Sequence, residues 1–277
     1  MHRNGIVTLG LVLVAATLTS KAAPIWDEEF NYPDGPLAVS SGGVWYAYSG
    51  GANQMTVSNG SVIVSRSNSE DLARDLGSFY SSGTLYYSAL ITMTEIPGPV
   101  GSYLMHFSDT ESNEKTDFFA RLYVKAVGAG YQFGIRNRSL QAEQSDYPVV
   151  FDESVTLSLG QQVAIVVKFD FETLQSTLWI NPLDESSASV TDTFEVSFAG
   201  DDQTLSRLSL REASGIGTSS ITRIVVGTTF EDVYLQAVPE PASWMLFGAA
   251  AMALGVEFRR DRRKARASRY NVPSAYS

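Results

Sequence analysis

Few residues in this 277-residue chain have the types and the spacing that catalysis requires. Glycoside hydrolysis needs two carboxyl groups that face one bond, and residues two apart on a strand share a face. Asp170 and Glu172 have this spacing, but they lie beside a predicted hairpin turn. We interpret them as the solvated end of a strand, so we expect no catalytic residues and a protein that is not an enzyme.

Histidine-based chemistry is similarly restricted. The chain has no cysteine and two histidines, His2 and His106. His106 lies in an alternating segment, and the sequence shows neither the nucleophile nor the acid that a catalytic relay would need around it. We interpret His106 as a residue on a sheet face.

One acidic segment, 109–117, has oxygen-bearing side chains at alternate positions, a pattern that calcium can use. The candidate ligands are Asp109, Glu111 and Asn113. The segment lacks the central glycine and the terminal spacing of an EF-hand loop. We therefore predict a solvated acidic loop and no cofactor or metal, with calcium binding as the alternative.

Aromatic residues supply the candidates for ligand binding. Trp45 and Tyr48 could form a platform that stacks on sugar rings. The alternation that predicts strands also assigns about half of the aromatic residues to the core. Both roles therefore stay open at the level of the sequence.

Period-two alternation identifies the elements that carry these residues. The odd-numbered positions of 85–94 and of 163–171 are apolar, which predicts strands with one buried face, and a hairpin continues at 175–180. More than ten such segments, with Gly or Asn at many junctions and no convincing helix in 23–237, predict an all-β antiparallel sandwich in a single domain. The other predicted strands are 26–30, 44–48, 61–64, 103–107, 118–125, 131–136, 205–211 and 221–229.

Charge is unevenly distributed along the chain. It carries 20 basic and 30 acidic side chains, net −10, whereas residues 24–241 alone carry 11 basic and 28 acidic ones. A body this acidic repels phosphate backbones, so we expect no nucleic-acid partner.

The N-terminal residues have the three parts of a secretory signal. Arg3 precedes an apolar run, 6–18, and small residues at positions 20 and 22 follow it. This order predicts a signal peptide over residues 1–22 and export through the Sec machinery.

The C-terminal segment, 238–277, also has three parts. Pro239, Glu240 and Pro241 precede an apolar run, 242–256, and a basic tail, 257–277. The run is shorter than the roughly 20 residues that span a bilayer comfortably. We nevertheless predict a single short transmembrane helix, with the β domain outside the inner membrane. The cytoplasmic basic anchor would be Arg259, Arg260, Arg262 and Arg263.

This tripartite order resembles the PEP-CTERM sorting signal of Gram-negative bacteria. The resemblance implies that a membrane protease-transpeptidase, an exosortase, recognises residues 239–241. It further implies transient anchoring in the inner membrane, followed by transfer to the cell surface or the extracellular matrix, commonly beside exopolysaccharide production.

The residues between the two signals are similar to concanavalin A-like, laminin-G-like domains. The similarity lies in 29–37, in 43–45, in the hairpin 168–182 and in 224–233. It implies a jelly-roll sandwich of two sheets. Jelly-roll glycosidases carry Glu-x-Asp-x-x-Glu on one strand, and this chain lacks that motif.

Two functions remain as alternatives. The first is a non-enzymatic surface or matrix protein whose lectin-like sandwich binds polysaccharide or another surface component. The second is a carbohydrate-active enzyme, a glycoside hydrolase or a polysaccharide lyase, on the same fold. The missing carboxylate motif favours the first.

Overall fold

A computed structural model of the chain describes residues 23–108, 118–137, 148–192 and 204–237. Regular structure in these ranges is mainly β-strand, as the alternation predicts. The strands are β1 (Trp26–Glu28), β2 (Gly35–Pro36), β3 (Tyr46–Ser49), β4 (Thr56–Ser58), β5 (Ser61–Ser65), β6 (Asp71–Tyr80), β7 (Thr84–Glu95), β8 (Ser102–Ser108), β9 (Phe118–Val127), β10 (Gly130–Arg136), β11 (Val150–Phe151), β12 (Gln162–Asp170), β13 (Gln175–Ile180), β14 (Ser189–Asp192), β15 (Leu205–Arg211) and β16 (Thr218–Gly227). Two single-turn helices, α1 (Leu37–Ser40) and α2 (Phe230–Val233), correct the expectation that this region has no helix.

The strands form two sheets in which the paired strands run antiparallel. The nine-stranded sheet has the order β14-β13-β12-β7-β16-β5-β4-β2, and β1 pairs with β16 outside that path. The seven-stranded sheet has the order β11-β10-β9-β8-β15-β6-β3. The two sheets pack face to face, which confirms the predicted antiparallel jelly-roll sandwich.

The main core lies between the sheets and follows the predicted alternation. On β7 the inward side chains, from Leu85 to Met93 at every second position, have no exposed surface. On β12, Val163 and Phe169 lie in the same core. Each such side chain contributes about 1.5–3 kcal/mol through burial, so the sheets are held together chiefly by this layer.

A second, smaller apolar cluster covers part of the opposite, outer face of the nine-stranded sheet. Tyr86, Val166 and Trp179 point outward there and are covered by Phe230 and Val233 of α2. The closing strand was predicted to continue to residue 229, but β16 ends at Gly227. A Cβ at that glycine would lie 2.6 Å from the Cβ of Asp232, so the chain turns here and the helix packs closely.

A buried carboxylate in β1, Glu28, fixes the start of β3. Glu28 accepts hydrogen bonds from the Tyr32 hydroxyl at 2.7 Å and from Trp45 Nε1 at 3.1 Å. It also forms a 2.7 Å ion pair with Arg74 of β6. Trp45 immediately precedes β3, so this network positions the strand that carries Tyr48.

Strand β6 is the largest element that the alternation did not predict. Its inward positions include Leu72, Arg74 and Leu76, and the charge of Arg74 interrupts the apolar pattern. The guanidinium is accommodated because it pairs with Glu28 and lies 4.3 Å from the centroid of the Trp26 ring. The short strands β2, β4, β11 and β14 were also not predicted.

Neither helix of the described ranges approaches the length and apolar character needed to cross a bilayer. The predicted signal peptide, 1–22, and the predicted transmembrane helix, 242–256, lie outside those ranges.

Candidate functional site

The outer face of the seven-stranded sheet collects arginine and tyrosine side chains from neighbouring strands. On β15, Leu208 and Leu210 point into the core, so Arg207, Ser209 and Arg211 point outward. The register places Ser209 opposite His106 of β8 and opposite Ala73 of β6. We call this the arginine–tyrosine face and define it by Tyr48, Tyr103, His106, Arg121, Tyr123, Arg207 and Arg211.

Two half-buried arginines lie along β15, each against a tyrosine ring. Arg207 donates from Nε to Ser108 Oγ at 2.8 Å, and its guanidinium lies 4.7 Å from the Tyr48 ring centroid. Arg211 donates to Ser102 Oγ at 3.0 Å and lies 4.3 Å from the Tyr103 ring centroid. The rings hold both guanidinium planes in place, and each serine bond occupies one of the five donors of a guanidinium.

The third arginine of the face, Arg121 on β9, has no exposed surface. Its guanidinium lies 5.4 Å from the Tyr103 ring centroid and 5.6 Å from that of Tyr123. None of its three side-chain nitrogens has a hydrogen-bond partner among the described residues. Burial lowers the pKa of Arg121, because the charged form has lost its water.

His106 and Tyr48 meet at the centre of the face. The Tyr48 hydroxyl lies 3.2 Å from His106 Nε2, and the buried His106 Nδ1 has no partner in the described part of the chain. Burial, aided by Arg121, Arg211 and Arg207, lowers the pKa of His106 well below 6.5. Burial also raises the pKa of Tyr48. The pair is therefore a neutral imidazole beside a neutral phenol.

Cations outnumber carboxylates on this sheet face. Lys125 and Arg136 point outward beside the three arginines, and Lys125 Nζ lies 4.0 Å from the Phe151 ring centroid. Two outward carboxylates, Asp71 and Asp75, lie opposite Arg211 and Arg207 on β6, and Asp75 accepts a 2.5 Å hydrogen bond from the Tyr46 hydroxyl. The arrangement of rings, guanidinium groups and hydroxyls can bind an anionic or a polyhydroxylated ligand.

The two predicted stacking residues have different positions. Tyr48 lies on the arginine–tyrosine face. Trp45 has no exposed surface and packs in the core, with its ring centroid 6.1 Å from that of Phe30. It cannot stack on a bound sugar, and we assign it to positioning β3 instead.

Asp170 lies at a hairpin turn, and His106 lies on a sheet face. Asp170 Oδ1 accepts the backbone N–H groups of Glu172 and Thr173 at 2.9 and 3.0 Å, so it closes the hairpin turn. His106 lies on a sheet face, as interpreted, although it is fully buried.

Several predicted site residues lie outside the described ranges. They are the calcium candidates Asp109, Glu111 and Asn113, the tripeptide Pro239, Glu240 and Pro241, and the anchor Arg259, Arg260, Arg262 and Arg263. The ranges that the structure does describe contain no group of three or more His, Asp or Glu arranged to hold a metal ion.

A cavity of about 760 Å³ lies elsewhere, beside the C-terminal end of the described chain. Its lining includes Leu159, Gln162, Asn181 and Gln236. Few charged or aromatic groups converge there, so we place the candidate site on the arginine–tyrosine face rather than in this cavity.

Sequence reasoning did not identify the arginines of the face. The alternation in 205–211 already separates Arg207 and Arg211 from the apolar positions, and that in 118–125 separates Arg121 and Tyr123. This signal could have indicated two cationic strand faces. It could not have shown that β9, β8 and β15 are adjacent, because strand order is a property of the folded sheet.

The two antiparallel sheets define a jelly-roll sandwich. Similar solved structures include the Emp47p carbohydrate recognition domain, with 11% identity, 76% of this chain and 99% of that chain covered, and a TM-score of 0.43. The VIP36 exoplasmic/lumenal domain in its Ca2+/Man3GlcNAc-bound form has 7% identity, coverages of 78% and 93%, and a TM-score of 0.43. A double-cysteine variant of alginate lyase A1-II' has 9% identity, coverages of 71% and 100%, and a TM-score of 0.46. Identities this low concern the fold alone.

Residues 237–263 match the family model of the PEP-CTERM protein-sorting motif. The chain therefore carries a motif of export and membrane-associated sorting in Gram-negative bacteria, and the motif implies processing by an exosortase. No curated protein matches the sequence.

Proposed function

We propose that this chain is a non-enzymatic surface or extracellular-matrix protein whose sandwich holds a polysaccharide on the arginine–tyrosine face. One observation carries the proposal: a buried guanidinium and a buried imidazole nitrogen lack hydrogen-bond partners, among the described residues, beneath partly exposed arginines and tyrosines. Unpaired buried polar groups each cost about 1–3 kcal/mol and are rare without a reason. A ligand that supplies the missing partners is such a reason.

The composition of the face suits a sugar polymer. Tyrosine rings offer apolar surfaces on which sugar rings stack, and arginine and hydroxyl groups offer hydrogen bonds to the sugar oxygens. Arg207 lies against Tyr48 and Arg211 lies against Tyr103. An extended polymer could contact several of them at once.

The test is retention of the full chain, kept in mild detergent, on immobilised neutral and acidic polysaccharides. We expect at least one polymer to bind and Tyr48→Ala to weaken that binding about tenfold, since a stacking ring is lost. Tyr234→Ala is the matched control, because Tyr234 stacks on Phe230 at the other sheet. Equal loss in both variants, or no polymer bound, would reject the proposal.

The sorting part of the proposal assigns a role to each part of the C-terminal segment. The apolar run 242–256 anchors the exported protein in the inner membrane, and Arg259, Arg260, Arg262 and Arg263 keep the tail in the cytoplasm. An exosortase then acts at Pro239, Glu240 and Pro241, and the β domain reaches the surface or the matrix.

Alanine replacement of residues 239–241 tests this role. We expect export to continue and the full-length protein to accumulate in the inner membrane, as measured by fractionation. Mass spectrometry of the surface-released wild type gives the complementary result. A C-terminus that still ends at Ser277 would contradict processing.

A second candidate, a polysaccharide lyase, is favoured by the 3.2 Å contact between the Tyr48 hydroxyl and His106 Nε2 beside three arginines. In this elimination a base removes the proton next to the sugar carboxylate, a carbon–carbon double bond forms, and the bond to the neighbouring sugar oxygen breaks as that oxygen takes a proton from a general acid and leaves as a hydroxyl group. An arginine would stabilise the charge on the carboxylate. Ultraviolet absorbance from unsaturated chain ends, lost in Tyr48→Phe, would establish this reaction in place of simple binding.

A further inference from the structure

We propose that the arginine–tyrosine face takes a linear acidic polysaccharide, with carboxylate groups of two separate sugars of one chain paired to Arg207 and Arg211. The inference rests on the proposed function and names the class of polymer. It is supported by the positions of the cations, their hydrogen bonds, the distance between Arg207 and Arg211, and the buried Arg121.

The cations of the sandwich are segregated. Residues 24–241 carry 28 acidic and 11 basic side chains, yet five of the basic ones project from one sheet face. These five are Lys125, Arg121, Arg136, Arg207 and Arg211. In the described part of β6, Asp71 and Asp75 also point outward on this surface, one opposite each arginine of β15. A positive area on a negative body attracts an anion to that area and to few others.

The bonding of these arginines differs from that of arginines with a structural role. Arg223 donates twice to Asp27, at 2.9 and 2.6 Å, and Arg74 is paired with Glu28. Among the described residues, Arg207 and Arg211 form no ion pair that meets the same distance, and each donates to a serine hydroxyl. A guanidinium has five donors in a fork that fits a carboxylate, so both side chains retain donors for a ligand.

The distance between Arg207 and Arg211 favours a polymer as the ligand. They are four residues apart on one strand and on the same face, so their Cα atoms lie about 14 Å apart at 3.4 Å per residue. A single sugar acid can reach one of them, whereas an extended chain of sugar acids can reach both. A tyrosine ring lies against each guanidinium and orients it, with Tyr48 beside Arg207 and Tyr103 beside Arg211.

The third arginine, Arg121, is buried beside the same tyrosine ring as Arg211. Arg121 shares the Tyr103 ring with Arg211, at 5.4 and 4.3 Å respectively, and its own nitrogens have no hydrogen-bond partner in the described ranges. Its charge is buried, where interactions are screened less than in water. It therefore adds attraction for an anion held above Tyr103.

The experiment compares polygalacturonate with the same polymer after chemical reduction of its carboxyl groups, by titration calorimetry on the full chain in detergent. The two probes share a backbone and differ only where each carboxylate has become a neutral hydroxymethyl group. We expect the acidic polymer to bind and the reduced polymer to bind at least about tenfold more weakly, the loss of one charge-assisted pair. Arg207→Gln and Arg211→Gln should each weaken binding of the acidic polymer about tenfold, whereas Arg223→Gln, the same change on the other sheet, should not.

Wild-type measurements keep the inference testable if an arginine variant fails to fold. Raising the ionic strength should weaken binding of polygalacturonate and leave any binding of the reduced polymer unchanged. Equal affinity for both polymers would overturn the acidic class and leave the proposed function standing. Failure to bind either polymer, while a neutral polysaccharide binds, would have the same effect. Failure to bind any polysaccharide would overturn both.

Discussion

The two outer faces of the sandwich are built by the same alternation but bury different polar groups without a partner. Among the described residues these include single oxygens of Ser88 and Asp232 near α2, and a whole guanidinium and an imidazole nitrogen on the seven-stranded sheet. On the nine-stranded sheet, the Tyr86 hydroxyl donates to Glu185 at 2.8 Å and Trp179 Nε1 to the Glu185 carbonyl at 3.2 Å, under the cover of α2. On the seven-stranded sheet, Arg121 and His106 Nδ1 have no hydrogen-bond partner within the described ranges. The first face contributes to stability through its apolar cluster, whereas the second holds a buried charge in place at a cost in stability that the proposed ligand would offset.

The largest effect on stability should come from removing the aromatic side chain of α2 that covers the outer face of the nine-stranded sheet. Phe230 packs edge-on against Trp179 and Tyr86, with ring centroids 5.4 and 6.4 Å apart. Phe230→Ala removes this cover, and we expect the free energy of unfolding to fall by about 3–5 kcal/mol in urea denaturation.

Polysaccharide binding by Phe230→Ala should be unchanged under conditions in which the variant is folded. Val39→Ala is the control for a truncated apolar side chain, because Val39 is 65% exposed and its loss should cost little. Weakened binding in folded Phe230→Ala would show that the two faces are coupled and not separate.

The next largest effect should come from Glu28→Gln, which should lower both the stability of the fold and the affinity for polysaccharide. Glu28→Gln leaves Arg74 without its carboxylate and weakens the bond that holds Trp45 at the start of β3. We expect a loss of about 2 kcal/mol in stability, measured by thermal unfolding, and a parallel loss of affinity because Tyr48 is displaced.

Asp27→Asn is the matched control for Glu28→Gln. Its pair with Arg223 is 35% exposed on both sides, so its loss should cost at most about 1 kcal/mol. A cost equal to that of Glu28→Gln would show that burial of the Glu28 pair is unimportant.

A smaller effect on stability should come from pH, through the buried imidazole of His106. The folded-state pKa of His106 lies below 6.5, so below pH 6.5 the unfolded chain takes up a proton that the folded chain does not. Stability from this group is present above pH 6.5 and falls with decreasing pH, by at most about 1.4 kcal/mol per pH unit. Tyr48, Tyr103, Arg121, Arg207 and Arg211 surround the ring, and the three arginines all disfavour its protonation.

Chemical denaturation between pH 7 and about pH 5 measures this dependence. His106→Gln should flatten the decline relative to the wild type. A decline of the same slope in the variant would assign the acid sensitivity to carboxylates instead.

The sequence predicted most of the fold because its strands alternate cleanly. Strands β13 and β15 have the predicted limits, and β7 has the predicted buried face. Strand β6 was not predicted because Arg74 occupies an inward position, and its compensation by Glu28 depends on a contact 46 residues away. Local pattern contains no information about that contact.

The site was predicted less well, for a related reason. Trp45 and Tyr48 are three residues apart, so on one strand they must face opposite sides, and alternation alone could exclude that both bind a ligand. Which of the two faces outward depends on the partner strand. The arginines are distributed over β9 and β15, 86 residues apart in sequence for Arg121 and Arg207, and only the sheet order brings them together.

The central claim is that the buried charge of Arg121 serves a ligand and not the fold. Its most direct test is Arg121→Met, because methionine fills the space of the arginine stem without its charge. If Arg121 is kept for a ligand, Arg121→Met should be as stable as the wild type or more stable by about 1 kcal/mol, since an unpaired buried charge is removed. Its affinity for polygalacturonate, measured on the same sample, should fall about fivefold. Unchanged affinity together with a marked loss of stability would contradict the claim, because Arg121 would then serve the fold and not the ligand.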